Sequence, residues 1–251
     1  MTAGRRLRDG LVAAALALAV WQAVVLATGA PAFILPSPAR VATALWDNRF
    51  LIASHAWITA AEVAAGLVLG AALGAATAIH LTLSAGARRV LLPVLVFSQA
   101  VPVFAIAPVL TLWFGYGIAS KILMTVLIIY FPVASAFFDG LGRTDPALMD
   151  LSRTLGGSPW RTLWRLRAPA ALPAFASGLR LAAVYAPIGA VIGEWVGASG
   201  GLGYLMLLAN GRAKTDLMFA ALFVLAAGAV ALYLGLGVLA RRLERRAQGR
   251  R

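Results

Sequence analysis

Residues 140–173 read GLGRTDPALMDLSRTLGGSPWRTLWRLRAPAALP, a polar, arginine-bearing island between long apolar tracts. Asp145-Pro146 is a helix start, since aspartate accepts from the orphan amides of a first turn and proline fits the first helical position. Ala147 to Leu155 then forms a short helix, ended by Gly156-Gly157 because glycine takes the left-handed conformation a terminus needs. Ser158-Pro159 repeats the start signal, and WRTLWRLR forms a second short helix leading to Pro169 and Pro173. Two charged helices about a glycine elbow do not belong in lipid, so the island is expected to rest against a protein partner.

The surroundings decide the class. Of 251 residues, 61% are hydrophobic and 12% charged, against about 25% charged in soluble domains. Several uncharged runs approach the roughly 20 residues that cross a bilayer as helix. The reading is an all-α integral membrane protein, one domain over 1–251, with 140–173 as a loop within it. The net charge of +13 does not indicate nucleic acid, because the basic residues cluster at the ends of apolar segments. The sequence holds no cysteine, which excludes disulfides, Cys-ligated zinc and thiol catalysis.

Working outward from the island, a fourth span (Ile122 to Phe138) precedes it, and a fifth (about Ala174 to Val196) and a sixth (Leu217 to Ala240) follow. Upstream, the apolar stretch after Arg5, Arg6 and Arg8 is long for a secretory signal, so a retained first span is preferred to a cleaved one. Pro31, Pro36 and Pro38 forbid helix up to Ser37, and a short surface helix with Val41, Leu45 and Trp46 on one face follows. The second span, His55 to Leu81, carries Gly66, Gly70 and Gly74 at the spacing that lets helices approach closely. Val90 to Ser120 is uncharged but holds Pro93, Pro102 and Pro108. Freed carbonyls at such kinks need protein or a water-filled cavity, so FSQAVPVFAIAP is expected to face a pore. With the N-terminus inside, all but five of the 22 basic residues (Arg40, Arg49, Lys121, Arg212, Lys214) lie on the cytoplasmic side. The positive-inside rule therefore places both termini and the island in the cytoplasm.

A pore for a small polar solute needs inward hydrogen-bonding groups and aromatics. The candidates are Ser98, Gln99, Phe104, Tyr130, Tyr185 and Glu194, each of which also reads as packing or interface. Glu62, inside the second span, either lies near the outer interface, pairs within the bundle or lines the path. No GxxxxGK[ST] loop is present, so the chain is not expected to bind ATP itself. Two histidines without HExxH make no metal site, and Ser158 and Ser199 lack a nearby histidine base. No covalent chemistry is expected.

The island, with an acidic residue and two positions for small residues, then after three more positions Gly156, and nine positions later an apolar-x-apolar-Pro sequence, resembles the cytoplasmic EAA loop of permease subunits of bacterial ATP-binding-cassette importers. Asp150 takes the acidic place, Leu151 and Ser152 the small ones, and Leu166, Ala168 and Pro169 the closing sequence. Asp150 and Leu151 depart from the family pattern. LPSP, SQAVPVFAIAPVLTLWFGYG and GEWVGASGGLGYLM extend the resemblance along almost the whole chain, to the branch importing sulfonates, taurine, nitrate and pyrimidine precursors of thiamine. AEVAAGLVLG, YFPVASAFFDGLGRTDP and ANGRAKTDLMFAALF are most similar to the thiamine-precursor permeases.

The resemblance implies the type I importer fold with six membrane helices, and a bacterial inner-membrane location. It implies as partners a second copy of the chain, two ATPase subunits carrying ATP and Mg, and an extracytoplasmic solute-binding protein. It also implies an ATPase-coupling surface at Asp145, Leu148, Met149, Asp150, Ser152, Arg153, Thr154, Leu155, Gly156, Ser158, Trp160 and Pro169. The competing class, an ATP-independent secondary carrier, would carry inverted repeats and intramembrane charges for ion coupling, and neither stands out here.

Overall fold

Residues 3–248 are described by a computed structural model, and every regular element among them is helical. In chain order these are α1 (Ala3–Thr28), α2 (Pro38–Asp47), α3 (Arg49–Leu83), α4 (Ala85–Ser98), α5 (Val103–Phe114) and α6 (Ile118–Gly142). There follow α7 (Pro146–Thr154), α8 (Pro159–Thr162), a π-helical turn (Leu163–Arg167), α9 (Ala168–Gly197), α10 (Leu202–Gly211) and α11 (Thr215–Gln248). Arg250 and Arg251 of the basic tail lie outside the described residues.

The bundle is built on α6, which glycines bring into close contact with α3 on one side and α9 on the other. A Cβ at Gly66 would lie 2.5 Å from Thr125, one at Gly70 2.6 Å from Ile129, and one at Gly74 3.0 Å from the main chain of Tyr130 and Ala134. The spacing seen in the second span is thus a helix contact. A second ladder, not singled out in the sequence, faces α6 from α9. A Cβ at Gly189 would lie 2.7 Å from Thr125 Cα, and one at Gly193 3.0 Å from Lys121 Cα. Because backbone cannot yield as a side-chain tip does, Gly189→Val is expected to cost about 3 kcal/mol and to lower the unfolding midpoint of the purified chain. Gly228→Val, whose Cβ meets nothing within 4 Å, serves as the unaffected control.

Among the described residues five helices are long and apolar enough to cross a membrane, and there are six such spans when α4 and α5, bent by 100°, are counted as one. The proline-punctuated span expected from Val90 to Ser120 is sharply broken at one of its prolines: Pro102, at the N-cap of α5, lacks an amide to continue α4, and the helix is interrupted at residues 99–102. The pair still runs from one end of the bundle to the other. Arg88 bonds the carbonyls of Leu81 and Thr82 and lies 5.6 Å from the Phe138 ring. At the opposite end, Thr111 and Tyr116 pack beside Gly197. These are called the loop end, which also carries α7, and the far end.

Two smaller expectations change. On α2 the buried residues are Val41 and Ala44, packed with Leu202, Leu205 and Leu217, while Trp46 is exposed beneath the Arg49 guanidinium. The second island helix does not stop at Pro169 or Pro173. The π-helical turn, with Ala168 N–H bonded to Leu163 O, widens the backbone just before Pro169, so α8 runs on through α9 to Gly197.

Candidate functional site

The island folds as a capped elbow. The Asp145 carboxylate accepts from Ala147 N–H at 2.9 Å, with Pro146 opening α7. Gly156 has φ +69°, and the Gly157 amide bonds Ser152 O at 2.8 Å. Ser158 accepts from Arg161 N–H and starts α8. The Ser152 and Thr162 hydroxyls, 2.7 Å apart, tie α7 to α8. Gly157 is enclosed by Ser152 side chain and carbonyl, which leaves no room for a Cβ.

None of the residues of α7 is buried. Leu148, Leu151 and Leu155, at i, i+3 and i+7, form an exposed apolar stripe. With Ser152, Gly156, Gly157, Arg161, Thr162, Arg165 and Leu166 they line a cleft of about 300 Å³. Trp160 and Trp164, in edge-to-face contact, stand exposed on the next turns. Asp150 pairs with Arg153 at 2.9 Å in solvent, and Thr154 bonds Asp150 O. Met149 is half-buried and Pro169 sits at the start of α9.

What joins this exposed stripe to the membrane helices is Leu163. It is fully buried among Ala78 of α3, Phe137 and Leu141 of α6, and Ala168 and Ala171 of α9. The Ser152–Thr162 contact ties α7 to α8 across the glycine elbow, and α8 runs on into α9 as one continuous helix.

Of the solute-path candidates, Gln99 and Tyr185 are brought together. Both line an open cavity of about 570 Å³ with Val103, Phe131, Pro132, Ser135, Asp139 and Leu181. Ser98 turns back to Leu95 O at 2.7 Å, and Phe104 is exposed. Tyr130 reaches the other way, to Thr77 of α3 at 2.9 Å. Sequence reading missed Phe131, Ser135 and Asp139, although their four-residue spacing before the island marks one face of α6.

Glu194 lies at the far end, buried rather than cavity-lining. It accepts from Thr59 Oγ1 at 2.6 Å and from the Gly203 amide, and so caps the N-terminus of α10. The Leu202 amide bonds Thr59 Oγ1 at 2.8 Å, and the Gly201 amide bonds His55 Nδ1 at 3.0 Å. Gly201 (φ +106°) and Gly203 both press on the Glu194 carboxyl. Glu62 is buried in the bundle close to Glu194, as the reading of pairing within the bundle expects. Lys121, read as an outer-loop charge, is also buried and donates to the carbonyls of Tyr116 and Gly117.

A multi-pass bundle with a rigid, exposed elbow at one end and, between its helices, a largely apolar cavity into which Gln99, Ser135, Asp139 and Tyr185 bring polar groups is the architecture of a membrane permease. Residues 66–249 match the binding-protein-dependent transport system inner membrane component, and the chain belongs to that family. It is similar to a probable ABC transporter permease of Haemophilus influenzae, 52% identical over 237 residues covering 94% of this chain and 97% of that one. The formylaminopyrimidine transport permease ThiX of Halalkalibacterium halodurans is 36% identical over 209 residues, 83% of each chain. The riboflavin transport permease RibX of Chloroflexus aurantiacus is 37% identical over 232 residues, 92% of this chain and 87% of that one. A chain of the MetNI methionine ABC transporter, solved in inward-facing conformations, superposes with TM-score 0.68 at 18% identity, over 78% of this chain and 98% of that one. That likeness shows the fold, the type I importer permease. The chain is accordingly a permease subunit of an ABC importer.

Proposed function

We propose that this permease carries a small, flat, polar heterocycle, a pyrimidine precursor of thiamine, from an extracytoplasmic binding protein to the cytoplasm. It does so as a pair of identical chains served by two ATPase subunits. The loop end faces the cytoplasm with both termini, and α7 seats in a groove of the ATPase subunit, which holds the ATP and Mg. The observation that carries this reading is the leucine stripe of α7, exposed yet fixed to the bundle through Leu163. An apolar stripe beside Asp150 and Arg153 suits a protein groove better than lipid.

The solute assignment rests on the cavity. Phe131 and Tyr185 offer ring faces, while Gln99, Ser135 and Asp139 offer acceptors and donors to a ring's amino and carbonyl edges. Relatives named for formylaminopyrimidine and riboflavin match at 36% and 37% identity, against 32% and 30% for relatives named for aliphatic sulfonates and taurine, and this supports the heteroaromatic solute.

The test of coupling is co-purification. An ATPase subunit retained with the chain, and uptake that requires ATP, support the importer; a lone chain that concentrates solute on an ion gradient overturns it. Binding of pyrimidines, sulfonates and nitrate to the partner binding protein tests the solute. In the reconstituted complex, Tyr185→Ala is expected to lower uptake about tenfold through a lost ring contact, with basal ATP hydrolysis unchanged. Equal uptake by Tyr185→Ala and the parent chain removes Tyr185 from the path.

A further inference from the structure

At the loop end, next to the large cavity, lies a second recess of about 460 Å³, lined by Thr82, Arg88, Phe138, Asp139, Gly142, Arg143 and Arg167. Three separate segments supply its arginines: the start of α4, the residue ending α6, and the π-helical turn before α9. Their convergence is not a by-product of one charged helix face.

Two of the three are held in place by main chain. Arg88 donates from Nε to Leu81 O at 3.2 Å, and Arg167 from Nε to Leu141 O at 3.0 Å. A guanidinium has five N–H donors in a planar fork, so a bond at Nε fixes the plane and leaves donors to present to a guest. The Phe138 ring lies 5.6 Å below the Arg88 guanidinium and further fixes it. Among the described residues none of the three arginines forms an ion pair, and Asp139 is the single acid on the walls. Like charges gathered round a hollow repel unless an anion shares it, and pre-oriented guanidinium forks match phosphate oxygens bidentately.

The flank of the recess favours an amphiphile. Beyond Arg88 and Arg89, the α4 residues Val90, Leu91, Val94 and Phe97 are all exposed, an apolar track on which acyl chains lie once a headgroup is seated. A basic pocket between membrane helices at the level of the headgroups, with such a track beside it, is the arrangement that holds an anionic lipid.

We infer that the Arg88–Arg143–Arg167 recess is a phosphate-binding site, occupied by the headgroup of an anionic phospholipid. Neither the solute nor the orientation of the chain enters this inference.

The experiment uses the full chain in nanodiscs of phosphatidylcholine with increasing phosphatidylglycerol. Lipid retained after exchange is counted by native mass spectrometry, and the unfolding midpoint is followed in parallel. A separate arm adds inorganic phosphate to the detergent-solubilised chain. Phosphatidylglycerol is expected to be retained selectively and to raise the midpoint. Arg143→Gln, which alters an exposed side chain, is expected to weaken that retention about tenfold. Arg167→Lys keeps the charge but loses the fork, and is expected to weaken it less. Stabilisation by inorganic phosphate without selective lipid retention keeps the site and assigns it to a soluble anion. Equal retention of both lipids with no phosphate effect overturns the inference. So does phosphatidylglycerol retention that is unchanged in Arg143→Gln and in the Arg88→Gln/Arg167→Gln pair. An ATPase subunit whose acidic residues take the recess, shown by lost subunit binding but unchanged lipid retention in Arg143→Gln, overturns it as well.

Discussion

Gly156→Pro is expected to abolish solute uptake while leaving the permease inserted and its membrane helices folded. The position has φ +69°, whereas proline is confined near −65°, so the elbow as it stands is closed to proline. The defect is purely one of backbone, because a Cβ at Gly156 would meet nothing within 4 Å. The elbow must re-form with α7 at another angle, and the Ser152–Thr162 contact and the Gly157–Ser152 bond are lost with it. Strain of roughly 3 kcal/mol lowers the population of the docked geometry about a hundredfold. Leu163 remains buried in the bundle on the membrane side of the break, which is why assembly is spared. Reconstituted with its partners, the variant should hydrolyse ATP without transporting. Gly156→Ala, which needs only a left-handed alanine at a cost of about 1 kcal/mol, should fall between. Uptake by Gly156→Pro equal to that of the parent chain would falsify rigid transmission through the elbow.

The elbow was also the part of the molecule most legible in the sequence, and the reason is physical. Caps and helix stops are local: Asp145, Gly156 and Ser158 act on amides within a few residues, so sequence order alone specifies them. The same holds for the glycine spacing of α3, where three small residues four apart define a face before any partner is known. The glycines of α9 were harder to read, because Pro187 and the uneven spacing from Gly178 to Gly189 hide the periodicity that contact with α6 makes plain.

Where sequence reading fell short, the missing information was long-range. The 100° bend after α4 depends on which helices flank Pro102, and Pro93 and Pro108, equally suspect, sit inside helices. That the second island helix runs on past Pro169 is not legible in the sequence, because the π-helical turn that accommodates the proline has no composition of its own. In the solute path, polarity marked Tyr130 and Tyr185 alike. Only the fold turns Tyr185 into the cavity and Tyr130 onto Thr77. The family resemblance placed the elbow and the class of protein, but Leu151, a departure from the family pattern, lies in the leucine-lined cleft as fully as its neighbours.

The second large effect is expected at the far end, from Glu194→Ala. Glu194 holds three elements at once: it belongs to α9, accepts from Thr59 of α3, and caps α10 through the Gly203 amide. Removing the carboxyl leaves the buried Gly203 amide without an acceptor, at a cost of about 1–3 kcal/mol, turns the Thr59 hydroxyl back to its longer 3.3 Å bond with His55 O, and opens a void under Gly201 and Gly203, which press on that carboxyl. It also removes one of the two buried carboxyls, with Glu62, that act on Lys121, itself buried on the carbonyls of Tyr116 and Gly117. The loss, roughly 4 kcal/mol in sum, is local to the segment from Gly197 to α10. The loop end, at the other end of α9, keeps Leu163 and the elbow intact. Hydrogen exchange should therefore rise steeply over residues 198–211 and stay unchanged over 146–167, with uptake lost although the ATPase subunit is still bound. Glu62→Gln provides the contrast. Glu62 Oε2 has no partner among the described residues, and an amide at 62 can still donate to Glu194, so this variant should exchange and transport much as the parent chain does. If both variants behave alike, the far end is held by the acidic pair as a whole and not by the Glu194 cap.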